Sequence, residues 1–133
     1  KLYSERTAIR LINNYLAFCS KRTQCGLFLI TLDNMAEIYM QVEKKNSELI
    51  LSEAAQKLKM MFRSSDIITR IKEECFLVFM KDIKESSIVL LKCQKICRTL
   101  QDVYSYGNKK VEVTVSVGAS ILTCEDSFEV LLK

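Results

Sequence analysis

Arg70-Ile71-Lys72-Glu73-Glu74-Cys75-Phe76-Leu77-Val78-Phe79-Met80 decides the fold of this chain. Apolar arms flank a short acidic centre, so the spacing predicts two β-strands, about residues 67–71 and 75–80, folded back at Lys72-Glu73-Glu74. Glycine, the usual source of backbone freedom in a tight turn, is missing from it. Upstream, Leu27-Phe28-Leu29-Ile30-Thr31-Leu32-Asp33-Asn34 reads as a strand, about 26–32, ending in an acidic tip. Downstream, Val111-Glu112-Val113-Thr114-Val115-Ser116-Val117-Gly118-Ala119 alternates within a strand of about 110–122, entered by a turn at Tyr106-Gly107-Asn108.

Helical periodicity fills the intervals. Ala8, Ile9, Leu11, Ile12, Tyr15, Leu16, Phe18 and Cys19 mark an amphipathic helix over about 4–20. Asn34 is placed to cap a short helix over about 34–43. From about Glu48 to Arg63 a longer helix buries Ile50, Leu51, Ala54, Ala55, Leu58, Met61 and Phe62. Another, about 84–102, carries Ile88, Leu91, Lys92, Lys95, Ile96 and Leu100, with Cys93 and Cys97 toward the sheet. Ser127 is expected to cap a last helix that stops at Lys133. This order predicts an α/β (α+β) architecture, a palm-like mixed sheet flanked by helices.

At 133 residues, 49% apolar and 27% charged, the chain suits one globular domain. No proline and three glycines leave no linker, so residues 1–133 are taken as a single domain, expected to be part of a larger multidomain protein. The net charge of +4 is spread among acids, as in Glu43-Lys44-Lys45, and lacks the basic stripe of a nucleic-acid binder. No apolar run approaches the roughly 18 residues of a membrane span. A cytoplasmic setting is expected, including as the cytoplasmic domain of a membrane-anchored receptor. Six cysteines and no histidine, without a C-x-x-C pair, read as small apolar packing residues with reduced thiols.

The order of elements and the spacing of these residues resemble the GGDEF domain of diguanylate cyclases, which condense two GTP molecules to cyclic di-GMP across a two-domain interface. From Thr31 to Phe76 the register needs no gap. The family's first metal-binding Asp falls on Thr31, while its second acidic position is kept as Asp33. Its guanine-contacting Asn falls on Tyr39 and its guanine-contacting Asp on Glu48. The Gly-Gly-Asp/Glu-Glu-Phe signature becomes Lys72-Glu73-Glu74-Cys75-Phe76. Glu74 thus keeps a metal-ligand position, but side chains fill the space of both glycines and the following glutamate is Cys75. A neutral threonine is a poor ligand for a hard divalent cation.

The resemblance therefore implies a catalytically inactive GGDEF-like signalling domain, a pseudo-enzyme with no catalytic residues. It implies no resident cofactor, with Mg²⁺ at Glu74 only alongside residual GTP binding. Arg63-Ser64-Ser65-Asp66 matches the family's inhibitory Arg-x-x-Asp site, which binds cyclic di-GMP, and Lys95 (or Gln94) falls at its secondary arginine. Cyclic di-GMP is accordingly the candidate ligand, and another signalling domain or a second copy the candidate partner. The local alternative is that Arg63 closes a helix and Asp66 starts a turn. Two further readings stand beside these: residual GTP binding or weak turnover, and a ligand-free protein-interaction or dimerisation scaffold.

Overall fold

The computed structural model describes residues 2–106 and 109–124. In chain order the elements are α1 (Glu5–Phe18), β1 (Gln24–Leu32), α2 (Met35–Gln41), α3 (Lys44–Met60), β2 (Ile67–Lys72), β3 (Cys75–Ile83), α4 (Ser87–Leu100), β4 (Asp102–Tyr106), β5 (Lys109–Val113) and β6 (Val115–Thr123). β2, β3, β1 and β6 form one four-stranded sheet in that order, and β4 and β5 a separate hairpin. The α+β sandwich is as the sequence implies. Among the described residues its ladders are antiparallel rather than mixed, and a parallel bridge joins Tyr3 and Thr69.

Strand alternation divides the core in two. Phe28, Ile30 and Leu32 of β1, with Phe76 and Val78 of β3, pack against Ile50, Leu51, Ala54 and Leu58 of α3 and Ile96 and Leu100 of α4. On the opposite face Cys25, Ile67, Leu77, Phe79 and Leu122 meet Ala8, Ile12 and Leu16 of α1. Ser4 caps α1, its hydroxyl accepting from the Thr7 amide at 3.2 Å, as the 3.6-residue pattern requires. At Gly26 the backbone runs so close to its neighbours that a Cβ would stand 3.1 Å from the Phe28 ring and 3.4 Å from Val89.

Several boundaries differ from the sequence reading, each for a local reason. α3 begins at Lys44, four residues before Glu48, because the Glu43 carbonyl already accepts from the Asn46 and Ser47 amides. It ends at Met60, so Arg63 does not close a helix: the Arg63 amide donates to the Asp66 carboxylate instead of to a helical carbonyl. Asn34 sits at the N-cap of α2 without capping it. Its side chain is drawn across to the β5–β6 junction, donating to Glu112 O and accepting from the Thr114 amide. The expected strand of about 110–122 breaks at Thr114 into β5 and β6, and β4 joins β5 as a hairpin the periodicity did not reveal. Leu91 of α4 is exposed, and Val89 takes the buried place. Gly107-Asn108 and Ser127 lie outside the described residues.

Candidate functional site

Two chain reversals, at opposite ends of β2, build the candidate sites. At one end β2 turns into β3 through Glu73-Glu74. The register slips between Arg70 and Lys72, a bulge that brings Lys72 opposite Cys75. Among the described non-glycine residues only Asp82 has positive φ, so this turn is made without the left-handed backbone that would call for glycine. Arg70 Nε staples it by donating to Glu73 O at 2.7 Å, and the Leu32 amide bonds Glu74 O at 2.9 Å.

The β1–β3 ladder then sets Thr31 directly opposite Cys75, with Thr31 Oγ1 3.4 Å from Cys75 Sγ. Asp33, just beyond β1, accepts from Ser116 Oγ at 2.6 Å. Beside the turn, the Tyr39 hydroxyl donates to Glu73 Oε2 at 3.1 Å. Burial first, and then the bond to Glu73 and its charge, push the Tyr39 phenol above its ordinary pKa. Tyr39 and Glu73 line a cleft of about 750 Å³ together with Lys44, Glu48, Leu51 and Arg70. That volume suits a nucleoside-sized ligand. The structure thus brings Tyr39, Glu48 and Glu73 together around the cleft, with Thr31 and Cys75 paired at the neighbouring strand ends.

At the other end of β2 the chain enters through Arg63-Ser64-Ser65-Asp66. The Asp66 side chain is fully buried and the Arg63 side chain about half exposed. Asp66 accepts from the Arg63 amide at 3.0 Å, from Arg63 Nε at 3.2 Å and Nη2 at 3.0 Å, and from the Lys81 amide at 3.1 Å. Arg63 Nη2 also donates to the Lys81 carbonyl. The carboxylate is therefore a local clasp, tying the exit of α3 to β3 and presenting the guanidinium outward. Lys95 stands exposed on α4, whereas Lys92 reaches this region, donating to Met61 O at 2.6 Å with its ammonium 4.9 Å from the Phe62 ring centre. Burial, then the charge of Lys95, holds the Lys92 ammonium below its ordinary pKa, with Arg63 adding to the effect and Asp66 opposing it.

The family model described as diguanylate cyclase, GGDEF domain, matches residues 1–133. The chain belongs to the GGDEF family. Solved GGDEF domains share its fold at low identity. The isolated domain of YfiN (TpbB) from Pseudomonas aeruginosa is 16% identical, aligns over 96% of this chain and 78% of that one, and has a TM-score of 0.85. The GGDEF domain of DgcB from Caulobacter crescentus, solved in complex with c-di-GMP, is 13% identical over 98% and 79%, with a TM-score of 0.83. An active GGEEF domain of a diguanylate cyclase from Vibrio cholerae is 15% identical over 95% and 80%, with a TM-score of 0.82. None of the curated proteins compared with the chain matches it significantly.

The β2–β3 turn and the neighbouring end of β1 offer a mixed donor set. A two-metal phosphoryl centre needs several carboxylates converging on ions about 3.5–4 Å apart. Here Thr31 and Cys75 offer a hydroxyl and a thiol, and Asp33 is turned to Ser116. No three acidic, histidine or cysteine groups converge among the described residues. The residues present do not fit a bound pair of divalent cations. Arg70, Lys44 and Lys92 stand at these two sites although the sequence marks none of them as a site residue. Arg70 stood in the opening stretch, but nothing in a linear reading tells that its side chain folds back onto the turn carbonyl. Lys44 opens α3, four residues ahead of the start that the periodicity predicts. No described helix is long and apolar enough to cross a membrane.

Proposed function

We propose that this GGDEF domain is catalytically silent and works as a signalling module rather than a cyclase. The Thr31–Cys75 pair carries the reading. A hydroxyl and a thiol contact each other where the resemblance to cyclases places ligands of the divalent cations, which favour carboxylate oxygens. Support comes from Glu73, which lines the cleft a triphosphate would enter and would repel it, and from Tyr39, which bonds Glu73 in the same cleft.

For such a module cyclic di-GMP is the candidate ligand and the Arg63 turn its candidate site. The exposed planar guanidinium suits a guanine edge or a phosphate. It borders a second cleft of about 650 Å³ that includes Tyr3, Lys59 and Ser64. In this reading Asp66 orients Arg63, and Lys95 adds a point charge on α4. The c-di-GMP complex of DgcB is the precedent within the fold. A second reading, GTP held without turnover beside Glu48 and Glu74, draws on the size of the Tyr39–Glu48 cleft.

Calorimetry with cyclic di-GMP, and separately with GTP and Mg²⁺, joined to a cyclase assay, tests both. Saturable cyclic di-GMP binding, lost in Arg63→Ala, is the expected result. Heat with GTP alone supports the second reading. Silence with both ligands leaves a scaffold for another domain or a second copy, and formation of cyclic di-GMP from GTP overturns the proposal of catalytic silence.

A further inference from the structure

The end of α1 and the end of β6 each carry a cysteine at one corner of the sheet. Cys19 closes α1, its amide bonded to Tyr15 O and its thiol 3.7 Å from Leu16 O. Cys124 directly follows β6, whose Thr123 pairs with Gln24 just past the α1–β1 turn. The ladder pairs of Cys25 with Leu122 and Gln24 with Thr123 therefore bring Cys124 to the corner where α1 ends, and the two thiols act on each other electrostatically. Leu16 of α1, Cys25 of β1 and Leu122 of β6 share one buried cluster under this corner, so the backbone there is held on both sides. Both Cys19 and Cys124 are free thiols and only partly buried, open to a small reagent.

We propose that Cys19 and Cys124 are a disulfide-forming pair, a site of reversible oxidation that fastens the end of α1 to the end of β6. The other cysteines are placed less well. Cys93 and Cys97 are one turn apart on α4, where Cβ atoms stand about 5–6 Å apart. A disulfide needs roughly 3.5–4.5 Å. Cys75 is engaged by Thr31, and Cys25 is fully buried.

A glutathione-type disulfide is the oxidant. The thiolate of one cysteine attacks oxidised glutathione, giving a mixed disulfide and one reduced glutathione. The second cysteine, giving up its proton, attacks the protein sulfur of that mixed disulfide and expels the other glutathione. Two protein thiols become one S–S bond, and their two protons leave on two glutathione thiols. Burial, and then the neighbouring Cys124, push the Cys19 thiol up, so the exchange quickens as pH rises. Once formed, the bond joins positions 19 and 124 and closes most of the domain into a loop, restricting the unfolded chain far more than the folded one. Among the described residues, α1 is the helix that covers its face of the sheet, and the bond fixes it there.

The test incubates the reduced chain with oxidised glutathione, maps disulfides by mass spectrometry without reduction, and records melting. The expected result is a linked peptide joining Cys19 to Cys124, loss of two titratable thiols, and a melting temperature higher by about 10 °C. Dithiothreitol should reverse all three. Cys124→Ser and, independently, Cys19→Ser should each give neither the link nor the rise, while Cys93→Ser keeps both. Glutathione adducts without the 19–124 link, or a different pair as the main product, would overturn the proposal.

Discussion

Thr31 and Cys75 are directly opposed partners in the β1–β3 ladder, with 3.4 Å between Oγ1 and Sγ. Replacing both, as Thr31→Asp with Cys75→Glu, sets two carboxylates face to face beside Glu74. Like charges opposed across strands repel. Without metal the double variant should lose about 1–3 kcal/mol in urea unfolding at pH 7. Millimolar Mg²⁺ or Mn²⁺ should recover most of the loss, because a cation bound only by the folded state stabilises it. An equal loss with and without metal would mean that the strand ends do not converge on an ion.

Asp66 is the most heavily bonded side chain of the Arg63 turn, accepting from two amides and from the guanidinium. Asp66→Ala strands the part-buried Lys81 and Arg63 amides and should cost about 1–3 kcal/mol. Arg63→Ala leaves the carboxylate its two amide donors, and the arginine is half exposed, so it should cost about 1 kcal/mol or less. Urea midpoints of the two variants decide the matter. Equal losses would show that the clasp is held by the ion pair rather than by the amides.

That contrast marks what a linear reading could and could not see. Ile50, Leu51, Ala54 and Leu58 lie on one face of α3 because their spacing has the helical period, and that periodicity is local. The pairing of β2 with β3 followed from two apolar arms around one short acidic turn. What stayed hidden depends on partners distant in sequence. Asn34 is a good cap by composition, but the backbone at Glu112 and Thr114 outbids the helix for its amide group. Asp66 was legible as a turn residue, yet the fourth of its bonds comes from Lys81, released where the β1–β3 register slips opposite Gln24–Gly26. The candidate cleft was legible in Tyr39 and Glu48, whereas the hydroxyl of Tyr39 on Glu73 needed the fold.

Lys57 links α3 to the β4–β5 hairpin, its ammonium 3.0 Å from Asp102 Oδ2 and 3.4 Å from the Tyr104 hydroxyl. Burial works against the charge on Lys57, yet the bonds to Asp102 and Tyr104 leave its pKa above the ordinary value. The bond from Lys57 and the Val103 amide hold Asp102 below the usual carboxylate range. A depressed carboxylate contributes stability above its unfolded pKa and loses it as pH falls through the folded value. A raised lysine contributes below its unfolded pKa and loses it as pH climbs through the folded value. Asp102 is largely exposed, so Asp102→Asn should cost under about 1 kcal/mol at pH 7. The gap from the parent should close as pH falls below the normal carboxylate range, and close again above the normal lysine range. A gap constant with pH would assign the effect to packing.

Glu73 guards the larger cleft with a negative charge and holds Tyr39 by a 3.1 Å bond. Glu73→Gln keeps the shape and removes the charge, so GTP should bind at least roughly tenfold more tightly at low salt. The gain should shrink at high salt, as screening requires. The same variant should lower the Tyr39 pKa toward its ordinary value, since the bond and charge of Glu73 help raise it after burial. A raised phenol contributes stability below its unfolded pKa and loses it as pH rises through the folded value, so the parent should lose more stability than Glu73→Gln between those two values. Calorimetry at two salt concentrations, with ultraviolet titration of the phenol, reads both effects. Unchanged GTP affinity together with a lowered phenol pKa would show that Glu73 governs Tyr39 but does not bar the nucleotide.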